Sequence, residues 1–221
     1  MHFGFGNLKQ EYRLDDHILT VSSEVKDLGI IITPDLKFSS HVSFLIKKAY
    51  SRMALIFKTF KSKDPNLLLR AYKVYIRPLL ENSTTVWSPR LITNVKNLEK
   101  VQRKFTKRVL GYNTRLTYEE RLTLFNLETL EFRRLIFDLS FVYKITHNLV
   151  DIPSDLFFVR NTSITRSTNS LNFIWNKTRL DCRKYFFINR IIKDWNALPN
   201  DVVSASNTSA FKNRLKAFLG K

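Results

Sequence analysis

Lys26-Asp27-Leu28-Gly29-Ile30-Ile31-Ile32, followed by Pro34-Asp35-Leu36-Lys37-Phe38-Ser39-Ser40-His41, is where the chain changes character. Before it lie short stretches of strand-like content, Phe3-Gly4-Phe5-Gly6, Glu11 to Leu14 and His17 to Val21, with turn residues between them. Leu28 to Ile32 adds one more, and Pro34-Asp35 closes the region. Beyond it, apolar residues recur at three- and four-residue spacing. The expected fold is mainly α with a small N-terminal β segment, the remnant of a sheet within residues 1–38. Asp15-Asp16, the only adjacent aspartates, sit between alternating apolar residues, so they read as a hairpin turn held by aspartate's local backbone hydrogen bonding.

The first helix is expected from Ser39 or Ser40 as N-cap to about Phe60. Val42, Leu45, Ile46, Ala49, Tyr50, Met53, Phe57 and Phe60 form its inner stripe, and Lys47, Lys48 and Arg52 lie mainly off it. Asp64-Pro65 starts a second helix, with Asp as N-cap and Pro where a missing N–H is harmless. Leu68, Ala71, Tyr72, Tyr75 and Leu79 should face inward and Arg70, Lys73 and Arg77 outward, with Pro78 kinking or ending the helix.

The strongest amphipathic helix covers about Thr93 to Leu110. Val95, Leu98, Val101, Phe105 and Val109 occupy one side, and Lys96, Lys100, Arg103 and Lys107 repeat on the other. Lys104 and Arg108 widen the basic face, which only Glu99 opposes. Such a helix extends about 27 Å, enough to follow several phosphates of a duplex. A merely solvated face has the same pattern. Tyr50, Tyr72, Tyr75 and Phe105 lie among these charges, but their helical phase turns most of them toward the core.

Thr117-Tyr118-Glu119-Glu120 reads as a capping box for a short helix through Leu124, and Leu130 to Leu149 as the spine of a C-terminal helical part. Residues 153–178, rich in Asn, Ser and Thr, form an irregular connector. A helix from Arg183 to Leu198 should bury Phe186, Ile188, Ile191, Ile192 and Trp195, and Ser209 should cap a last one through Leu219.

There are 37 Lys+Arg against 19 Asp+Glu, a net charge of +18 that favours a polyanionic partner. No apolar run approaches the ~20 residues of a membrane span, so a membrane partner is not expected. Cys182, the only cysteine, excludes an intrachain disulfide and a cysteine-cluster zinc site and fits an intracellular setting, nucleus or cytoplasm. The histidines lack metal-site spacing, and Cys182 has no recognisable histidine partner. No catalytic, cofactor-binding or metal-binding residue is therefore assigned.

Several segments, in order, resemble one family. They are the Leu28-Gly29 stretch, Tyr72-Lys73-Val74-Tyr75-Ile76-Arg77-Pro78-Leu79-Leu80-Glu81, Val86-Trp87-Ser88-Pro89, Leu98 to Arg108 and Tyr118 to Leu122. Asp138-Leu139, Val142 to Ile145, Asn189-Arg190, Trp195 to Pro199 and Phe211 to Leu215 continue the series. Together they are similar to the C-terminal part of the reverse transcriptase of non-LTR (LINE-type, Jockey-like) retrotransposons. The resemblance implies the end of the palm at 1–38, a basic helical thumb at 39–112 and a helical extension at 113–221. It further implies that Lys26, Asp27, Leu28 and Gly29 form a primer-grip-like element, although a bulge or turn would use the same glycine. The implied partners are an RNA–DNA hybrid or other duplex, bound without sequence preference, and the missing palm and fingers of the parent RNA-directed DNA polymerase. The metal-binding aromatic-x-Asp-Asp motif is not in these 221 residues. The chain is thus expected to be a truncated polymerase and no enzyme by itself, with Mg²⁺ needed only by the complete polymerase. The alternative is a co-opted nucleic-acid-binding or protein-interaction module.

Overall fold

The computed structural model describes residues 1–4, 6–161 and 171–220 and is mainly helical, with a small N-terminal β segment. The chain divides into two compact units, Met1–Asn82 with Trp87–Leu127 and Ser83–Val86 with Glu128–Lys221.

The β segment of the first unit is two separate hairpins and not one sheet. Strands β1 (Arg13–Leu14) and β2 (His17–Ile18) pair antiparallel around Asp15-Asp16, where Asp15 takes a φ of 51°. The aspartates thus form the turn their flanking pattern predicts. Strands β3 (Val25–Asp27) and β4 (Ile30–Ile32) pair around Leu28-Gly29, with φ values of 44° and 86°. Two consecutive positive φ angles match the right-handed twist of the flanking strands, and glycine takes the second at no steric cost. Leu28, at the tip of this hairpin, is 95% exposed. Around Phe3-Gly4-Phe5-Gly6 the described residues form no strand, and Phe5 lies outside them.

Helix α1 (Ser39–Thr59) is capped by neither serine. Phe38, at a φ of 58°, turns the chain into the helix, and Ser39 Oγ accepts from Asn94 Nδ2 at 3.0 Å. Helix α2 (Pro65–Ala71) starts as expected, the Asp64 side chain accepting from the Asn66 amide. It continues through a π-helical turn, Tyr72–Ile76, into α3 (Arg77–Glu81). Pro78 has no N–H to give the Val74 carbonyl, and the wider turn, in which the Arg77 amide reaches Tyr72 O, lets the helix pass the proline without ending. That turn also changes the helical phase. Ile76 and Leu80 are buried beside Tyr72, while Tyr75, expected inside, is 52% exposed and Leu79 only half-buried.

A single turn, α4 (Thr84–Trp87), precedes α5 (Ile92–Leu110) and α6 (Tyr118–Leu124), where Thr117 and Glu120 close the predicted capping box. Because α6 packs on α5, the first unit runs to Leu127 and takes in residues beyond 112.

In the second unit, α7 (Leu130–Thr146) packs against α9 (Phe187–Asn196) and α11 (Thr208–Phe218), with α8 (Asp181–Lys184) and α10 (Asn200–Val203) as short turns. The helix expected from Arg183 breaks at Tyr185-Phe186, so Phe187 is buried and Phe186 exposed. Asn207, not Ser209, caps α11 by accepting from the Ala210 amide. Trp195, Phe211, Tyr143 and Leu139 lie at the centre of the core, and the Tyr143 hydroxyl donates to Ala205 O at 2.6 Å. The connector is anchored at both ends. Arg160 bridges Phe173 antiparallel, and the rings of Phe158 and Phe173 stack at 4.5 Å in the core. Residues 162–170, with Arg166, lie outside the described residues.

One ion pair organises this unit. Arg190 Nε and Nη2 donate to the two Asp138 oxygens at 3.0 and 3.1 Å, and Nη2 also reaches Thr85 O at 2.8 Å. Burial pushes the Asp138 carboxyl up to about 6 against the pull of Arg190 and Arg134. A folded-state value above the ordinary 3.8 means that this group favours the native state most in acid and gives up that contribution as pH rises through about 6. Arg190→Leu leaves the carboxylate buried without its fork and should cost about 3–5 kcal/mol in urea unfolding at neutral pH. The loss should shrink below pH ~6, where Asp138 holds a proton.

Candidate nucleic-acid interface

The rotation of α5 about its axis is set by a buried polar residue. Gln102, wholly buried, lies on the same side as Leu98, Val101 and Phe105. Its Oε1 accepts from the Tyr72 hydroxyl at 2.7 Å, and its Nε2 donates to the Tyr118 hydroxyl at 2.9 Å. Tyr118 in turn donates to Glu99 Oε1. Burial, reinforced by the Glu99 charge, raises the Tyr118 hydroxyl well above its ordinary value, so it stays a donor. One turn on, Arg121 Nε donates to Thr106 Oγ1 at 3.3 Å and its Nη1 to Leu116 O at 2.6 Å. These hydrogen bonds join α2 and its π turn, α5 and α6.

With that face fixed, Lys96, Lys100, Arg103 and Lys107 all come out exposed on the opposite side. Lys104 and Arg108 flank them toward α1, Lys104 Nζ standing 5.0 Å from the Tyr50 ring centre and the Arg108 guanidinium 4.2 Å from that of Phe57. Arg103 stacks over Tyr118 at 4.3 Å. The aromatic rings thus orient the cations at the margins of the ridge. Glu99 opposes the ridge less than its sequence position suggests, since it lies on the flank and accepts from Tyr118.

The cations of the other helices divide by role. Lys47, Lys48 and Arg70 are exposed, and Lys73 is half-buried. Arg52 Nη1 donates to Tyr75 O at 2.8 Å, bracing the π turn, and Arg77 pairs with Glu81 at 3.7 Å. Arg52 and Arg77 therefore serve the fold, a role that their spacing along the chain does not reveal. Of the four residues expected to form a primer-grip-like element, Lys26, Leu28 and Gly29 border a cleft with Lys48 and His41. That grouping has no signal in the sequence, where His41 stands as an isolated histidine.

Among the described residues no group of three or more His, Cys, Asp or Glu side chains is placed to hold a metal ion. Among the same residues no helix is long and apolar enough to cross a membrane.

No family model matches the chain, and no solved structure matches it. It is 24% identical over 149 residues to an uncharacterized protein of Caenorhabditis elegans, a match covering 66% of this chain and 74% of the worm protein.

If the Gln102 network fixes α5, removing the hydroxyl at its centre should loosen the ridge. Tyr118→Phe takes one hydrogen-bond partner from the buried Gln102 Nε2 and one from Glu99, and should cost about 1–3 kcal/mol. Urea unfolding gives the loss, and hydrogen exchange should show it concentrated in α5 and α6.

Proposed function

We propose that this chain is the thumb-bearing C-terminal part of a reverse transcriptase of the non-LTR, Jockey-like retrotransposon kind, and that α5 is the surface with which it follows a template–primer duplex. The ordered family-like segments support the reading. The observation that carries it is the α5 ridge, four exposed cations on the side of a rigid helix opposite its buried stripe.

A polymerase thumb holds duplexes of any sequence, so it should grip phosphates and sugars. From Lys96 to Lys107 the helix rises roughly 16 Å, close to five phosphate steps of about 3.4 Å along one strand. Four cations at this spacing suit one strand of a hybrid or duplex. Nothing in such a surface reads bases, which is what template-independent grip requires. The chemistry of nucleotide addition belongs, in this reading, to the carboxylates and Mg²⁺ of the complete polymerase.

Replacing Lys96, Lys100, Arg103 and Lys107 with Gln should weaken binding to RNA–DNA hybrid and to duplex DNA of any sequence alike. Helicity should persist, since Gln is a comparable helix former. For every phosphate that is no longer neutralised, the magnitude of the logarithmic salt slope falls by about 0.7–0.9, so the quadruple variant should show a slope smaller by about 3. Unchanged affinity and slope in fluorescence-anisotropy titrations across salt would show the ridge to be a solvated face.

A further inference from the structure

On the flank of α1 away from α5, the tip of the β3–β4 hairpin, α1 and the start of α3 enclose a cleft of about 350 Å³. Two ammonium groups stand in it, Lys26 Nζ at 5.2 Å and Lys48 Nζ at 5.9 Å from the ring centre of Phe44. Its other walls include Leu45, Pro78 and Leu79, and no carboxylate lines it. His41 adds a third donor. Its Nδ1 accepts the Ile31 amide at 3.3 Å, so the neutral ring carries its proton on Nε2. The ring is 3% exposed and is held edge-on to Trp87, with centroids 5.2 Å apart.

Two positive charges, one neutral N–H donor, the Asn82 amide and an apolar wall together suit an anion with an apolar or planar body. We propose that this cleft binds a phosphomonoester dianion, with Lys26 and Lys48 matching its charge, His41 Nε2–H donating to a phosphate oxygen and Pro78 and Leu79 packing against the group the phosphate carries. A phosphodiester brings one charge to a site offering two. A monoester at neutral pH brings nearly two and three acceptor oxygens. The same chemistry is met in a free mononucleotide and in the terminal phosphate of a nucleic-acid strand. The site stands apart from the α5 ridge and does not depend on the duplex-binding reading.

His41 reports occupancy. Burial and the charge of Lys26 hold its imidazole below the ordinary value, and a bound dianion offsets that charge. Lys26 from β3 and Lys48 from α1 are the charged side chains lining the cleft with it, and α3 contributes only Pro78 and Leu79.

The test is NMR on the full chain, following the His41 ring and the Ile31 amide during titration with inorganic phosphate, AMP, a 5′-phosphorylated oligonucleotide and the same oligonucleotide without the phosphate. Phosphate and AMP should shift both signals saturably and raise the pKa of His41. Lys26→Gln and Lys48→Gln should each weaken AMP about three- to tenfold, while the quadruple α5 variant binds AMP as before. Tighter binding of AMP than of the phosphorylated strand identifies a mononucleotide site, and the reverse order a strand-end site; either supports the proposal. Absence of shifts in the unsubstituted protein up to about 50 mM AMP, far weaker than a charge-paired site should be, overturns it. So do equal shifts with the unphosphorylated strand, or lysine variants that bind AMP unchanged.

Discussion

Gln102, wholly buried and hydrogen-bonded to two other segments, sets how α5 sits in the first unit. A wholly buried amide stripped of its hydrogen bonds costs about 1–3 kcal/mol, so α5 is stable in the orientation that brings Gln102 between Tyr72 and Tyr118. Apolar packing alone would tolerate some rolling of the helix, because Leu98, Val101 and Phe105 can slide against their neighbours at modest cost. Two directional hydrogen bonds to residues on different helices do not. What faces solvent on α5 is thereby decided from inside, and the same bonds tie α6 to the helices before it.

The segments that carry the family resemblance are largely structural joints. Tyr72, Gln102 and Tyr118 meet in one network, Asp138 meets Arg190 across 52 residues, and Trp195 and Phe211 share a core. Residues of this kind specify a fold, whereas a sequence-independent grip on nucleic acid needs only cations on a rigid scaffold. The surface and its scaffold therefore place different demands on the chain.

Local chemistry is legible in the sequence wherever one residue type has one use. Asp64 before Pro65 and the Thr117–Glu120 box stand where their hydrogen-bonding habits place them, Asp15-Asp16 turns the first hairpin, and the α5 stripe follows from a period of 3.6. What is illegible depends on context. The π turn before Pro78 inserts a phase change that regular helical counting cannot contain, and so misplaces Tyr75 and Leu79. Ser39 looks like a cap because its hydroxyl suits one, yet Asn94, 55 positions away, claims that oxygen. The cleft is hidden for the same reason, since Lys26, His41 and Lys48 converge only when the β3–β4 hairpin lies against α1.

Ser83–Val86 lies in the middle of the first unit's sequence yet belongs to the second. Thr85 waits for Arg190, 105 residues downstream, to reach its carbonyl. All residues of the first unit within this sequence have been made once Leu127 is added, while this short segment still lacks its partner. At about 5–20 residues per second, the roughly 60 residues that follow take about 3–12 s to appear. The chain thus leaves the ribosome with a built-in order of assembly, in which four residues of the second unit are made early and stay idle until the rest of that unit arrives to claim them.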